Sequence, residues 1–151
     1  MQAQHLIIIA LVCFHAITGR SQEVLKNRKP YAAGRFYTDK PAELKSQLQH
    51  LFLNSIQKKR ELTPLAIIAP HAGYVFSGEV AASAFNQIDP DTKFERIFII
   101  GTSHTMAFEG VSAYCTGHYE TPLGTVKVDI QLVKQLAKEN RLIRCYPEAH
   151  A

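Results

Sequence analysis

The sequence lacks the short motifs that mark several common enzyme classes, and it has little cysteine. It contains no glycine-rich phosphate loop, no Cys-x-x-Cys pair and no G-x-S-x-G element. Nothing in the sequence therefore indicates a P-loop nucleotide-binding protein or a serine hydrolase of the nucleophile-elbow type. Its three cysteines are too few for a disulfide framework in a chain of 151 residues. No apolar run reaches the roughly 20 residues that a membrane-spanning helix needs, so we predict no transmembrane span.

The composition is that of one ordinary globular domain. Apolar residues make up 46% of the chain and charged residues 20%, a composition that excludes a mostly disordered chain. The net charge of +4 is modest. Its basic clusters are Lys26, Arg28 and Lys29, and Lys58, Lys59 and Arg60. Neither is interleaved with aromatic residues, so we interpret both as solvated and predict no nucleic-acid partner.

The amino-terminal stretch differs from the rest of the chain. Residues 6–17 are nearly all apolar and are followed by small or polar residues, which favours a signal peptide over residues 1–20. A linker over 21–29 and a domain over 30–151 would follow. A secreted or periplasmic location is predicted if the signal is real, and a cytoplasmic one otherwise. A buried strand or a misassigned start remains the alternative.

Removal of such a signal would leave two cysteines, Cys115 and Cys145. They could pair in an oxidising compartment, but we expect buried free thiols.

Local sequence pattern predicts two helices and three short strands outside the region between residues 65 and 104. One helix has Pro41 in its first turn, where proline costs least, and Asp39 as its N-cap. The other covers residues 130–140, with Asp129 as its N-cap. The strands are predicted over residues 111–115, 125–128 and 142–146.

Two histidines follow short apolar runs that end in proline or glycine. Residues 65–69 lead into His71, and residues 97–100 lead into His104. Small and apolar residues at helical spacing lie between them over 77–88, so the unit is predicted to be a βαβ crossover in an α/β fold. Because parallel strands end at the same edge of a sheet, both histidines are expected to face one crevice, where ligands bind.

Two imidazoles at one sheet edge suit iron, zinc or copper, but a third ligand is needed for a typical site. Five side chains are candidates, although no spacing recommends any of them: Glu79, Glu109, His118, Glu120 and His150. Hydrolysis by Ser103 with the adjacent His104 is disfavoured, because neighbouring loop residues rarely point at each other. The alternative is that both histidines are hydrogen-bonding loop residues.

Several sequence blocks resemble the Memo-like family, which in bacteria is called AmmeMemoRadiSam system protein B. The blocks are Ala33-Gly34-Arg35-Phe36-Tyr37, Ala69-Pro70-His71-Ala72-Gly73-Tyr74 with Ser77-Gly78, Gly101-Thr102-Ser103-His104, and Tyr119 with Thr121-Pro122-Leu123-Gly124 and Asp129. The resemblance extends from about Lys29 to the last residue, and its Pro-His-Ala-Gly-Tyr block is specific.

The resemblance implies an α/β/α sandwich with a central, mostly parallel sheet, similar to the class III extradiol dioxygenases of the LigB type. It implies His71 and His104 as metal ligands and a pocket lined by Phe36 and Tyr74. The implied cofactor is a transition metal, iron or copper, with zinc as the alternative. The family's third ligand, a cysteine in animal members, belongs to the other half of the family's length. Because members of the family are much longer than this chain, we expect the chain to correspond to the amino-terminal half, and we assign the third-ligand role to neither Cys115 nor Cys145.

Three hypotheses for function follow. The first is a metal-dependent oxidoreductase acting on an unidentified small molecule. The second is a non-catalytic module that binds a small ligand or a peptide in the same pocket. The third is an inactive fragment. Neither the substrate nor the oligomeric state is predicted.

Overall fold

A computed structural model describes residues 24–59 and 64–150 of the chain. The predicted signal over residues 1–20 lies outside the described residues. The helices are α1 (Pro41–Asn54), α2 (Tyr74–Phe85) and α3 (Ile130–Glu139), followed by a 3-10 turn over Pro147–His150. The strands are β1 (Val111–Ser112), β2 (Tyr119–Thr121), β3 (Gly124–Val126) and β4 (Ile143–Arg144).

Helices α1 and α2 pack against each other and hold most of the buried apolar side chains. Leu44 and Leu51 of α1 and Ala82 of α2 are buried. The helices approach closely at Gly78, where an added Cβ would lie 2.8 Å from Cδ1 of Leu51. Helix α1 begins at Pro41 as predicted, but Asp39 is not its N-cap, because the chain enters the helix one residue later, at Lys40.

Two small sheets occupy the second part of the structure. β1 and β4 pair in parallel, and β2 and β3 form an antiparallel hairpin. The predicted strands over 111–115, 125–128 and 142–146 are therefore present, although shorter. Helix α3 is confirmed with its cap, since Oδ1 of Asp129 accepts the Leu132 N–H at 3.0 Å.

The expectation of free thiols is wrong, because Cys115 and Cys145 form a disulfide. Their Cα atoms lie 6.0 Å apart, a separation that a disulfide spans readily. The parallel pairing of β1 with β4 leads the two chain segments in the same direction, so both cysteines lie just beyond the paired strands. The bond therefore ties together the chain segments that follow these two strands.

The two apolar runs before the histidines are not strands among the described residues. Residues 65–69 and 97–100 run without a pairing partner, although α2 forms between them, beginning at Tyr74 rather than at residue 77. A strand exists only through hydrogen bonds to a neighbour, and the described residues supply none beside these runs. The structure thus combines helices with two small sheets, one of them parallel.

Residues 26–28 lie along the chain segment that leads into β2. The Lys26 and Arg28 N–H groups donate to the carbonyls of Thr116 (2.8 Å) and His118 (2.7 Å). The Glu120 N–H donates to the Arg28 carbonyl at 2.8 Å. Over the described part of the chain, no helix has the length and apolar character to cross a bilayer.

Candidate metal-binding site

His71 and His104 are brought together by the structure. His71 lies just before α2, and His104 lies in the loop after residues 97–100. Their Nε2 atoms are 3.3 Å apart, and their ring centres are 5.5 Å apart with a tilt of 51°. Both side chains are exposed, so the two nitrogens are accessible to a ligand.

The separation of the two nitrogens suits two arrangements. In a direct hydrogen bond one imidazole donates and the other accepts, as two neutral rings can. In a tetrahedral metal site, ligand bonds of about 2.1 Å place two nitrogens about 3.4 Å apart. The observed 3.3 Å therefore fits the separation of two nitrogen ligands of one ion.

The described residues supply no third metal ligand to the pair. No group of three His, Cys, Asp or Glu side chains in the described ranges is arranged to hold an ion. Three of the sequence candidates have other partners. Glu120 forms an ion pair with Lys29 at 2.7 Å, and Nδ1 of His118 accepts the Val128 N–H at 3.1 Å. His150 belongs to a separate cluster.

The turn over residues 33–37, which contains Phe36 and Tyr37, contacts the start of α2, close in sequence to His71. The Gly34 N–H donates to the Tyr37 carbonyl at 2.7 Å, and Gly34 has a φ of 76°, which favours glycine. The Tyr74 N–H donates to the Phe36 carbonyl at 2.9 Å, and the rings of Tyr37 and Tyr74 lie 5.2 Å apart. Burial, and then Tyr37, raise the pKa of Tyr74, so its phenol stays protonated at neutral pH.

Phe36 and Tyr74 each line one of two neighbouring cavities. Phe36 lines a cavity of about 380 Å³, and Tyr74 lines one of about 260 Å³. Gln47 contributes to both. His71 and His104 line neither of these two cavities, although Tyr74 lies close to His71 along the chain.

A second polar cluster, which the sequence did not predict, surrounds His150. Its Nδ1 lies 3.0 Å from the Tyr119 hydroxyl and its Nε2 lies 3.1 Å from Oγ of Ser112. The Arg28 guanidinium lies 5.1 Å from the centre of the Tyr119 ring. Burial, and then the Arg28 charge, lower the pKa of His150.

This cluster is structural rather than hydrolytic. Oγ of Ser112 donates to the Tyr146 carbonyl at 3.0 Å and accepts the Tyr146 N–H at 3.2 Å. With its hydroxyl used in this way, Ser112 is not a free nucleophile. The cluster fixes the 3-10 turn against β1. The cluster could not be predicted from the sequence, because its residues are far apart along the chain and share no local pattern.

The protein combines helices with small sheets, and two of its loops bring the imidazoles of His71 and His104 together. The family model described as Memo-like protein matches residues 28–151, and the chain belongs to this family. It is 35% identical over 132 residues to a MEMO1 family protein of Saccharolobus islandicus (strain L.S.2.15 / Lassen #1), covering 82% of this chain and 46% of the relative.

Other relatives give the same result. A MEMO1 family protein of Saccharolobus solfataricus is 36% identical with the same coverage. One of Desulfurococcus amylolyticus is 35% identical over 134 residues, covering 83% of this chain and 47% of the relative. The chain thus spans about half the length of the relatives that it matches.

Proposed function

We propose that His71 and His104 supply two imidazole ligands to a transition metal, and that the complete Memo-like site is an oxidoreductase related to the extradiol dioxygenases. The observation that carries this proposal is the 3.3 Å separation of the two Nε2 atoms. Iron or copper would suit a redox role, whereas zinc would bind the same ligands without redox chemistry. The proposed fold of the complete protein is the α/β/α sandwich.

The chain's own residues would have distinct roles in such a site. A bound redox-capable metal would supply open positions for substrate hydroxyls and dioxygen. His71 and His104 would hold it through Nε2, and their exposure leaves room for a substrate. Tyr74 follows His71 at the start of α2, and its half-buried phenol keeps its proton at neutral pH, so we propose that it could donate a hydrogen bond to a bound substrate. The third ligand would come from the relatives' additional length.

Metal titration of matched variants tests the ligand assignment. The purified chain, the His71→Ala/His104→Ala double variant and a His50→Ala control are titrated with Zn²⁺ and with Cu²⁺. His50 is an exposed histidine on α1 that contacts Asn54, so its loss leaves the pair intact. We expect the double variant to lose roughly tenfold or more in affinity and the control to bind as the unmodified chain does. Equal affinity in all three would rule out the assignment.

A second candidate function is a non-catalytic module, in which the two histidines hydrogen-bond a small ligand or a peptide. The lack of a third metal ligand in the described ranges favours it. Oxygen uptake with a panel of catechols separates the two functions. The oxidoreductase consumes dioxygen when loaded with iron, whereas the module binds a catechol without consuming any.

We also propose that the protein matures in an oxidising compartment, outside the cytoplasm. The Cys115–Cys145 disulfide supports this location, because such bonds persist where thiols are not kept reduced. Mass spectrometry of the protein exported by a bacterial host tests it. The expected product has lost the first 20 or so residues and two hydrogens. A full-length product with free thiols would contradict the proposal.

A further inference from the structure

The two histidines of the pair differ in what holds them in place. His71 lies just before α2, and the chain that follows it is fixed by two hydrogen bonds. Oγ of Ser77, a buried residue in the first turn of α2, donates to the Ala72 carbonyl at 3.1 Å. The Tyr74 N–H donates to the Phe36 carbonyl at 2.9 Å. The place of His71 is therefore tied to a helix and to the turn over residues 33–37.

His104 lies in a loop that has fewer restraints. Residues 97–107 belong to no helix or strand in the described structure. Among the described residues, this segment has hydrogen bonds only between the rings of His104 and His71 and between Ser103 and Met106. The Ser103 side chain is therefore the main polar restraint on the loop that carries His104.

The backbone of Met106 uses the Ser103 hydroxyl both as a donor and as an acceptor. The hydroxyl donates to the Met106 carbonyl at 2.7 Å and accepts the Met106 N–H at 3.2 Å. The two bonds enclose His104 and Thr105, where the chain bends. A serine that bonds to nearby backbone in this way holds a turn without help from a neighbouring strand. Because its hydroxyl is occupied, Ser103 is also poorly suited to act as a nucleophile.

We infer that Ser103 is a positioning residue, whose two bonds to Met106 hold the loop so that the imidazole of His104 meets that of His71. The inference rests on the proposed metal-binding function and adds to it a residue that sets how tightly the pair binds. A site that adopts its binding arrangement for only part of the time has an affinity reduced by that fraction. Loss of the Ser103 hydroxyl should therefore weaken metal binding while leaving both ligands in the chain.

Three variants of the 151-residue chain test the inference. Ser103→Ala removes both bonds, and Ser103→Thr keeps a hydroxyl at the same position. Thr105→Ala is the control, since it removes a neighbouring exposed hydroxyl that makes no hydrogen bond among the described residues. Because both positions are exposed, all three variants are expected to keep the circular dichroism spectrum of the unmodified chain.

Two measurements are made on each protein. The first is the NMR cross-relaxation between ring protons of His71 and His104 in the metal-free protein, which reports whether the two imidazoles meet. The second is the affinity for Zn²⁺ from calorimetric titration, with the His71→Ala/His104→Ala variant as the reference for binding elsewhere. Only the second measurement depends on the proposed function.

We expect Ser103→Ala to lose the ring contact and to bind Zn²⁺ roughly tenfold more weakly, as for a loop that is in place about a tenth of the time. Ser103→Thr and Thr105→Ala should keep the contact and bind within about twofold of the unmodified chain. The inference is overturned by a ring contact that persists in Ser103→Ala, or by an equal loss of it in Thr105→Ala or Ser103→Thr.

The Zn²⁺ titration separates this inference from the proposed function. If the unmodified chain binds Zn²⁺ more tightly than His71→Ala/His104→Ala does, an unchanged affinity of Ser103→Ala also overturns the inference. If those two proteins bind equally, the proposed function fails, and the ring contact in the metal-free protein decides the role of Ser103.

Discussion

Nε2 of His71 and Nε2 of His104 lie 3.3 Å apart, although the apolar run before each histidine is not held in a sheet in the described structure. Local hydrogen bonds stabilise each of the two loops beside its histidine. Oγ of Ser77 donates to the Ala72 carbonyl at 3.1 Å, beside His71. Oγ of Ser103 donates to the Met106 carbonyl at 2.7 Å, beside His104.

Ser77→Ala is expected to release the loop that holds His71. Ser77 is buried, and the change removes the hydroxyl donor to the Ala72 carbonyl, which costs about 1 kcal/mol of the free energy of unfolding. Urea denaturation measures the loss, and the NMR shift of the His71 ring reports the loop. A variant with unchanged stability and an unchanged shift would show that the hydroxyl does not position the loop.

Gly78→Val is expected to force α1 and α2 apart. The first added carbon would lie 2.8 Å from Cδ1 of Leu51, and overpacking of this kind costs about 1–3 kcal/mol. The control is Gly78→Val combined with Leu51→Ala. It should be less destabilised than the sum of the two single variants, because the smaller side chain removes the clash. Strict additivity in denaturation would contradict this account.

Loss of the Cys115–Cys145 disulfide is expected to lower the free energy of unfolding by roughly 3–4 kcal/mol, given a sequence separation of 30 between the two residues. Guanidinium denaturation with and without dithiothreitol measures the effect. The Cys115→Ser/Cys145→Ser variant serves as the control, since it should start at the lower stability and show no response to the reductant. A response of the double variant would point to another cause.

Stability is expected to fall on acidification because of His150. Its pKa in the folded state is lowered below its ordinary 6.5, first by burial and then by Arg28. As the pH falls through 6.5, the unfolded state binds a proton that the folded state resists. The resulting loss of stability grows as the pH falls and is complete below the folded-state pKa of His150.

Unfolding free energies from about pH 7.5 to about pH 5 test this expectation. His150→Gln removes the titrating group while keeping an amide that can hydrogen-bond to Ser112 or Tyr119. We expect its stability to depend less steeply on pH than that of the unmodified chain. Identical slopes for both proteins would exclude His150 as the source.

Features decided by local pattern were predictable from the sequence. Asp129 caps α3 as expected, because the side chain and the N–H that it accepts lie three residues apart. The convergence of His71 with His104 was also anticipated from the two apolar runs and the helix between them, although that reasoning required a sheet in this region. The family resemblance of residues 28–151 was evident from motifs alone.

Features decided by distant partners were not predictable. The pattern of residues 97–100 is that of a strand, but a ladder requires a neighbour that the described residues do not provide. The disulfide follows from the pairing of β1 with β4, and no spacing rule indicates that pairing. The surroundings of His150 depend likewise on chain segments that are far apart in sequence.

The backbone pairing of Lys26 and Arg28 with the chain before β2 limits how far the amino-terminal end could be shortened without loss of structure. The Lys26 carbonyl accepts the Tyr114 hydroxyl at 2.6 Å, and Gly117 approaches the same carbonyl so closely that a Cβ would not fit. A protease that trimmed the chain past Lys26 would remove these bonds and expose the buried Tyr114. An amino terminus that keeps these contacts would therefore lie upstream of Lys26.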